Sequence, residues 1–231
     1  MNIIDGRLPK TGNYRRGRQT NRIEYIVIHY TANKGDSALN NTKYFANYTV
    51  EASAHYFVDE IGVYTSVPVA DTAWHCGGKK LSGDGASKYG KCTNSNSIGI
   101  EMCLLDKSGN IRDKVVKNTI ELTKWLMVEY DIPAENVIRH WDVTNKACPK
   151  HFIGNNNALW NDFKQRLIQN GEEKGDDIVI YNTINEVPEY ARPTIQKICD
   201  KGFLKGNEKG LGLSVDMTRI LVILDRTGVF G

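Results

Sequence analysis

Short apolar runs separated by turn residues dominate the first two thirds of the chain. Runs of this length, rich in β-branched and aromatic residues, predict strands rather than helices. The polar segment 59–62 lies between two such runs and predicts a hairpin turn. The predicted strands span residues 25–28, 54–58, 63–67, 98–104 and 137–140.

Helical periodicity occupies the intervals between these strands. Asp36 or Ser37 is placed to cap a helix that follows it directly. Apolar residues recur at three- and four-residue spacing over 115–130, which predicts an amphipathic helix that ends before Pro133. A further helix is predicted over 158–167. Since strands and helices alternate irregularly, we predict an α/β domain with a mixed central β-sheet flanked by helices.

A polar, charged and glycine-containing segment near residue 170 interrupts this pattern and predicts a linker. We therefore predict a larger domain over 1–170, a linker over 171–177 and a small, mainly helical domain over 178–231. Within the small domain, a helix over 188–202 ends in glycine. Ser214 caps a second helix after a glycine-rich loop.

Length and composition are those of a soluble globular protein. A chain of 231 residues can hold one domain of about 150 residues and a smaller one. Its 40% hydrophobic and 25% charged residues are typical of that class. No apolar run approaches the roughly 20 residues of a membrane helix, so we expect no membrane insertion. The N-terminus has no apolar core segment, so we expect synthesis in the cytoplasm without a standard signal peptide.

Positive charge is concentrated in the larger domain. Residues 1–167 contain 22 Lys and Arg against 17 Asp and Glu, a net charge of +5, whereas residues 176–231 contain 7 against 8. A modestly basic domain suits an anionic polymer, and it would also attract nucleic acid. No basic run with interleaved aromatic residues occurs, so we expect no nucleic-acid partner.

The five cysteines form an odd set that is too sparse for a disulfide framework. We expect Cys103 and Cys199 to be small buried hydrophobic residues. Cys76 and Cys92 flank a loop rich in glycine and lysine, and they could meet across it as a disulfide or a second metal pair. Free thiols are the favoured alternative for this pair.

Two histidines and one cysteine form a candidate zinc site. His29 follows the first predicted strand, and His140 lies eight residues before Cys148, with Lys146 between them. Two imidazoles and one thiolate leave a tetrahedral zinc with a fourth position open to water, as in catalytic sites. A closed structural site would need a fourth ligand, and the chain has no Cys-x-x-Cys pair. A histidine after a strand more often packs or lies at the surface, so this spacing alone is weak.

Five motifs strengthen the zinc interpretation, because together they resemble the type-2 zinc amidases. This family comprises N-acetylmuramoyl-L-alanine amidases and the related peptidoglycan recognition proteins. The resemblance covers roughly residues 20–167, and it implies a zinc ion at the base of a long groove for peptidoglycan. The motifs, in chain order, are YIVIHYTA from Tyr25, SAHYFVDEIG from Ser53, TAWH from Thr72, NSIGIE from Asn96, and the segment from His140 to KACP at Lys146.

The resemblance also implies roles for two further residues. Glu101 matches the family's strand glutamate and would move the proton of the attacking water, while Lys146 would stabilise the oxyanion. The alternatives are a surface strand glutamate and a solvated loop lysine. Some family members use a tyrosine before the histidine equivalent to His55, but this chain has Ala54 there. It must therefore rely on Glu101.

Five residues are predicted to contact the substrate on the same basis. His55 could instead pack inside its strand. His75 is expected to contact the substrate or a neighbouring loop rather than zinc, and His151 is expected at the surface. The five predicted contacts are Thr31, His55, Trp74, His75 and Asn96.

The C-terminal segment resembles the S-layer homology modules that hold proteins to Gram-positive cell walls. The match covers about forty residues, and a helical hairpin that dimerises or packs on the larger domain is the alternative. An amidase domain, a wall-binding tail and no signal peptide together resemble a phage or prophage endolysin, with a host autolysin as the alternative. A non-catalytic recognition protein is a further alternative, but it would not need the intact Cys148. A structural zinc module is disfavoured by Glu101 and Lys146.

Overall fold

The computed structural model describes residues 2–20, 22–103, 106, 109–169 and 180–230. The chain forms two compact units, Met1–Asn170 and Gly171–Gly231. The predicted linker over 171–177 lies outside the described residues. No helix in the described part of the chain is both long and apolar enough to cross a membrane.

The first unit is built on a six-stranded sheet with the order β1-β5-β4-β7-β3-β8. Neighbouring strands are parallel except β4 and β5, which pair antiparallel across the predicted hairpin. The predicted mixed sheet flanked by helices is therefore confirmed. The strands are β1 Ile3–Ile4, β2 Tyr14–Arg15, β3 Tyr25–Tyr30, β4 Tyr56–Val58, β5 Val63–Thr65, β6 Thr72–Ala73, β7 Ser97–Met102 and β8 Val137–Arg139; the helices are α1 Ala38–Asn47, α2 Asp113–Glu129, α3 His140–Thr144 and α4 Ala158–Ile168.

The two central strands, β3 and β7, are apolar along most of their length because both faces of the sheet are covered. Ile26 and Ile28 of β3, with Ile98 and Ile100 of β7, pack into the main core. The alternate residues point to the opposite face. His29 lies on that second face and pairs in register with Glu101. The alternation of side chains therefore places the apolar core on one face of the sheet and the pair His29 and Glu101 on the other.

Side-chain hydrogen bonds set the starts of helices α1 and α3. The Ser37 hydroxyl accepts a hydrogen bond from the Asn40 N–H and caps α1, as predicted. The strand predicted to end at His140 ends at Arg139 instead. Asp142 accepts the Arg139 N–H at 2.7 Å and starts a short helix, so His140 is the first residue of α3.

The second unit contains the antiparallel pair β9 Ile180–Tyr181 and β10 Leu213–Ser214, with helices α5 Arg192–Asp200 and α6 Val215–Arg226. Ser214 caps α6 as predicted, and its hydroxyl accepts from the Met217 N–H. The helix predicted from residue 188 begins only at Arg192, because the preceding residues form a turn from Pro188 to Ala191. The small core of this unit consists of Val187, Ala191, Ile195, Ile198, Leu213 and Val222.

Candidate metal centre

His29, His140 and Cys148 meet at the carboxyl ends of adjacent parallel strands. Their ligand atoms lie within 4.8 Å of one another, and all three residues are buried. β3 presents His29, and the start of α3, directly after β8, presents His140. The loop carrying Cys148 returns to the same place because the Trp141 N–H donates to the Cys148 carbonyl at 3.0 Å.

The polar atoms of this cluster fit a metal ion. Neither ring nitrogen of His140 has a hydrogen-bond partner among the described residues, although both are buried. Leaving a buried polar group unpaired is costly, so a missing ligand is the natural explanation. The His29 Nδ1 lies 3.7 Å from the Cys148 Sγ, within the same cluster. Borderline-soft nitrogen and sulfur donors of this kind suit zinc.

Burial sets the protonation of the three ligands. It lowers the pKa of His29 well below its usual range and the pKa of His140 to about 3, with smaller contributions from neighbouring charges. Both imidazoles are therefore neutral and able to bind a metal near pH 7. Burial, followed by the Glu101 charge, raises the pKa of the Cys148 thiol to about 12. A bound cation would reverse that effect and deprotonate the thiol.

Glu101 and Lys146 lie beside the three ligands. Burial raises the pKa of Glu101 to about 8, and the Lys146 ammonium partly offsets that rise. The Glu101 Oε2 is buried without a hydrogen-bond partner in the described chain. Lys146 is exposed, and both residues line the cavity at the ligands. A carboxyl with a pKa near neutrality suits proton transfer.

Three adjoining cavities form a groove across this centre. The central cavity, of about 270 Å³, contains the three ligand residues, Glu101 and Lys146. A second cavity of about 550 Å³ shares Glu101 and Lys146 with it and extends over α1. A third, of about 560 Å³, shares Trp74, His75 and His140 and extends toward Glu51 and Gly78. The chain thus provides an elongated groove with the three candidate metal ligands at its centre.

The predicted substrate residues divide into two groups. Thr31, Trp74 and His75 line the groove, and the buried Thr31 hydroxyl has no partner among the described residues. His55 and Asn96 are instead buried in the interior, and neither lines the three cavities of the groove.

Both interior residues have hydrogen-bond partners within the fold. His55 is fully buried, accepts the Gly99 N–H at 2.9 Å and lies 2.9 Å from Arg18, so it packs between strands. Asn96 closes the turn before β7, where it accepts from Thr93 and donates to Lys91.

Other residues near the centre were not predicted from the sequence as site residues. Asn33, Asp36 and Tyr44 line the groove from the loop and helix that follow β3. His151, expected at the surface, is half-buried and packs edge-on against the Tyr30 ring. The chain carried no local signal for these positions, because they come from a loop and from the exposed side of a helix.

The cysteines other than Cys148 are also free thiols. Cys76 and Cys92 are buried in one apolar cluster with Tyr25 and Val27, so the pair takes the free-thiol alternative. Cys103 is buried as expected, whereas Cys199 is partly exposed.

The site combines two imidazoles and a thiol with a carboxyl group and a cation beside them. This combination of groups is typical of metal-dependent hydrolases. The chain belongs to the Amidase_2 family, described as N-acetylmuramoyl-L-alanine amidase, whose sequence profile matches residues 19–151. This agrees with the resemblance found in the five motifs.

Individual relatives support the same family. The N-acetylmuramoyl-L-alanine amidase BlyA of Bacillus subtilis (strain 168) is 33% identical over 160 residues, which is 66% of this chain and 43% of BlyA. The chain thus spans less than half the length of that curated relative. The structure of PlyL is 27% identical with a TM-score of 0.60, covering 74% of this chain and 99% of PlyL. A mutant endolysin from Bacillus subtilis is 30% identical with a TM-score of 0.57, covering 72% and 99%.

Proposed function

We propose that this protein is a zinc-dependent amidase of peptidoglycan. It hydrolyses the amide bond between N-acetylmuramic acid and the L-alanine of the stem peptide. The observation that carries this proposal is the buried cluster of His29, His140 and Cys148, with Glu101 beside it. The name of the family and the names of the relatives point to the same substrate.

The proposed chemistry divides among five side chains. His29, His140 and Cys148 would hold zinc, which supplies a Lewis acid and lowers the pKa of a coordinated water. Glu101 takes a proton from the attacking water and returns it to the departing amide nitrogen. The Lys146 ammonium donates to the carbonyl oxygen as negative charge develops there.

The groove suits an extended polar substrate. Asn33, Asp36 and Tyr44 offer polar atoms on one side of the centre, and Trp74 offers an aromatic face on the other. Sugars and short peptides bind through this combination of hydrogen bonds and ring contacts. The glycan strand and the stem peptide can therefore extend away from the scissile bond in opposite directions.

The second unit concerns where in the cell the enzyme acts. We propose that residues 178–231 bind a secondary polymer of the Gram-positive wall or join two copies of the chain, with residues 171–177 as the linker. A catalytic unit joined to such a tail fits a phage or prophage endolysin, made in the cytoplasm and acting on the wall after release. The solved endolysin among the similar structures supports this context.

The bond that is cleaved tests the proposed function. Purified cell walls are digested with the zinc-loaded protein, and the released fragments are analysed by mass spectrometry. We expect stem peptides with a free L-alanine amino group and no new reducing sugar ends. Glu101→Gln serves as the matched control and should release at least about 100-fold less peptide. Release of reducing sugars or of internal peptide fragments would contradict the assignment.

A further inference from the structure

His75 contacts the candidate metal ligand His29 on the side opposite Cys148. Its Nδ1 lies 3.0 Å from the Nε2 of His29, and the two rings meet edge to face with centroids 5.2 Å apart. The other nitrogen of His29, Nδ1, lies on the side of Cys148. His29 therefore lies between the metal centre and His75.

Three successive hydrogen bonds link His29 to His75, His75 to Ser97, and Ser97 to the Thr93 carbonyl. The carbonyl fixes the direction of all three. The Ser97 hydroxyl lies 2.5 Å from the Thr93 carbonyl oxygen, which can only accept, so Ser97 donates its single proton there. Its oxygen then accepts from the Nε2–H of His75, 3.1 Å away. With this proton on Nε2, the Nδ1 of His75 is the acceptor for the His29 Nε2–H. The remaining nitrogen of His29 then carries a lone pair toward Cys148.

Two backbone features hold His75 in this position. The Asn94 side-chain oxygen accepts the N–H groups of His75 and Cys76, at 3.0 and 2.9 Å. The imidazole lies directly over Gly99 of β7, where a Cβ atom would come within 2.5 Å of the ring. The glycine of the Asn96–Glu101 motif thus makes the space that the ring occupies.

We infer that His75 is a positioning residue for the metal centre rather than only a wall of the substrate groove. By accepting the Nε2–H of His29 and donating to Ser97, it fixes the tautomer and the ring orientation in which the His29 Nδ1 faces the metal. Partners of this kind tune metal affinity in other proteins. This inference rests on the proposed zinc centre of His29, His140 and Cys148.

Zinc affinity tests the inference without any measurement of catalysis. Zinc dissociation constants are obtained for the full chain and its variants by competition with a chromophoric chelator. His75→Leu removes the acceptor and should weaken zinc binding by about 10- to 100-fold. His75→Asn can place an amide oxygen near the former Nδ1 position and should restore most of the affinity.

Trp74→Leu is the matched control. Trp74 lines the same cavities as His75, but its backbone N–H and carbonyl are hydrogen-bonded to Ser53 rather than to a candidate metal ligand. Its substitution should leave the zinc affinity unchanged. Zinc affinity in His75→Leu equal to that of the wild type would overturn the inference. A wild-type chain that binds no zinc would instead contradict the proposed function itself.

A measurement on the unmodified protein removes any dependence on how the variants fold. Histidine ¹⁵N NMR of the zinc-loaded chain identifies which nitrogen of each ring carries a proton. We expect His29 to be protonated on Nε2 and coordinated through Nδ1, with His75 protonated on Nε2. Coordination of His29 through Nε2 would overturn the inference.

Discussion

Lys146 is the one cation that lines all three cavities of the groove among the described residues. Because we propose that its charge stabilises the developing oxyanion, Lys146→Met should lower turnover of a soluble muramoyl peptide by roughly 100-fold while zinc content stays the same. Lys150→Met, four residues further along the chain and outside the three cavities, is the control and should remain active. Near wild-type turnover in Lys146→Met would show that the lysine is only a solvated loop residue.

The second prediction concerns Glu101 and the free energy of unfolding of the metal-free protein. Burial raises its folded pKa to about 8 from the ordinary value of 4.5, so the folded state holds a proton that the unfolded state has released. Stability contributed by this proton is therefore lost as the pH rises toward and through 8. We expect metal-free wild type to lose about 1 kcal/mol relative to Glu101→Gln between about pH 7 and 8.

Urea unfolding at the two pH values measures that difference. His29 and His140 are present in both proteins, and their lowered pKa values change the free energy of unfolding only below about pH 6.5. Their contribution therefore cancels in the comparison. Parallel stability curves for the two proteins across this pH range would show that Glu101 is not buried as described.

Residue chemistry was more predictable from the sequence than residue environment. The sequence placed Glu101 on a predicted strand over 98–104, and β7 confirms a strand there, because the apolar run that predicts it is local. The contact of His75 with His29 joins residues 46 positions apart, and no local pattern reports such a contact. His55 shows the same limit, since a histidine in a strand can face either a groove or the interior.

At the scale of elements, the junction between β8 and α3 sets the position of His140. The Arg139 guanidinium lies between the rings of Trp141 and Trp160, at 4.5 and 5.0 Å from their centroids. It also pairs with Asp142 and donates to the Phe152 carbonyl. This buried cation therefore joins the start of α3 to α4 and to the loop between them.

Arg139→Lys tests that junction. Lysine keeps the charge but loses the planar stacking and the several donors, so unfolding should become easier by roughly 2–4 kcal/mol. Arg166→Lys is the control, because Arg166 forms an exposed pair with Asp162 and such pairs contribute little. Equal urea midpoints for the two variants would contradict the structural role of Arg139.

The same junction shows why element boundaries were only partly predictable. Strand β3 and helix α1 follow from an apolar run and from the Ser37 cap, which are local signals. The end of β8 depends on Asp142 accepting the Arg139 N–H. That carboxylate competes with continuation of the strand, and hydrophobic patterning does not register it.

At the scale of the whole molecule, every proposed catalytic residue lies in the first compact unit. A chain truncated after residue 170 should therefore fold, bind zinc and cleave a soluble muramoyl peptide at a rate similar to the full chain. It should lyse whole cells less well, because tethering raises the effective concentration of enzyme at an insoluble substrate.

Wall pull-down and light scattering distinguish the two proposed roles of the tail. Loss of wall binding upon truncation indicates a wall-binding module, and conversion of a dimer to a monomer indicates self-association. Loss of soluble-substrate cleavage in the truncated chain would contradict the modular account and make the second unit part of the active fold.

The most direct test of the central claim is the metal dependence of hydrolysis. Metal analysis of the purified chain should give one zinc ion, lost in a His29→Ala, His140→Ala or Cys148→Ala variant. Removal of zinc from the wild type with a chelator should abolish cleavage of a soluble muramoyl peptide, and added zinc should restore it. Full activity in a verified metal-free preparation would contradict the account.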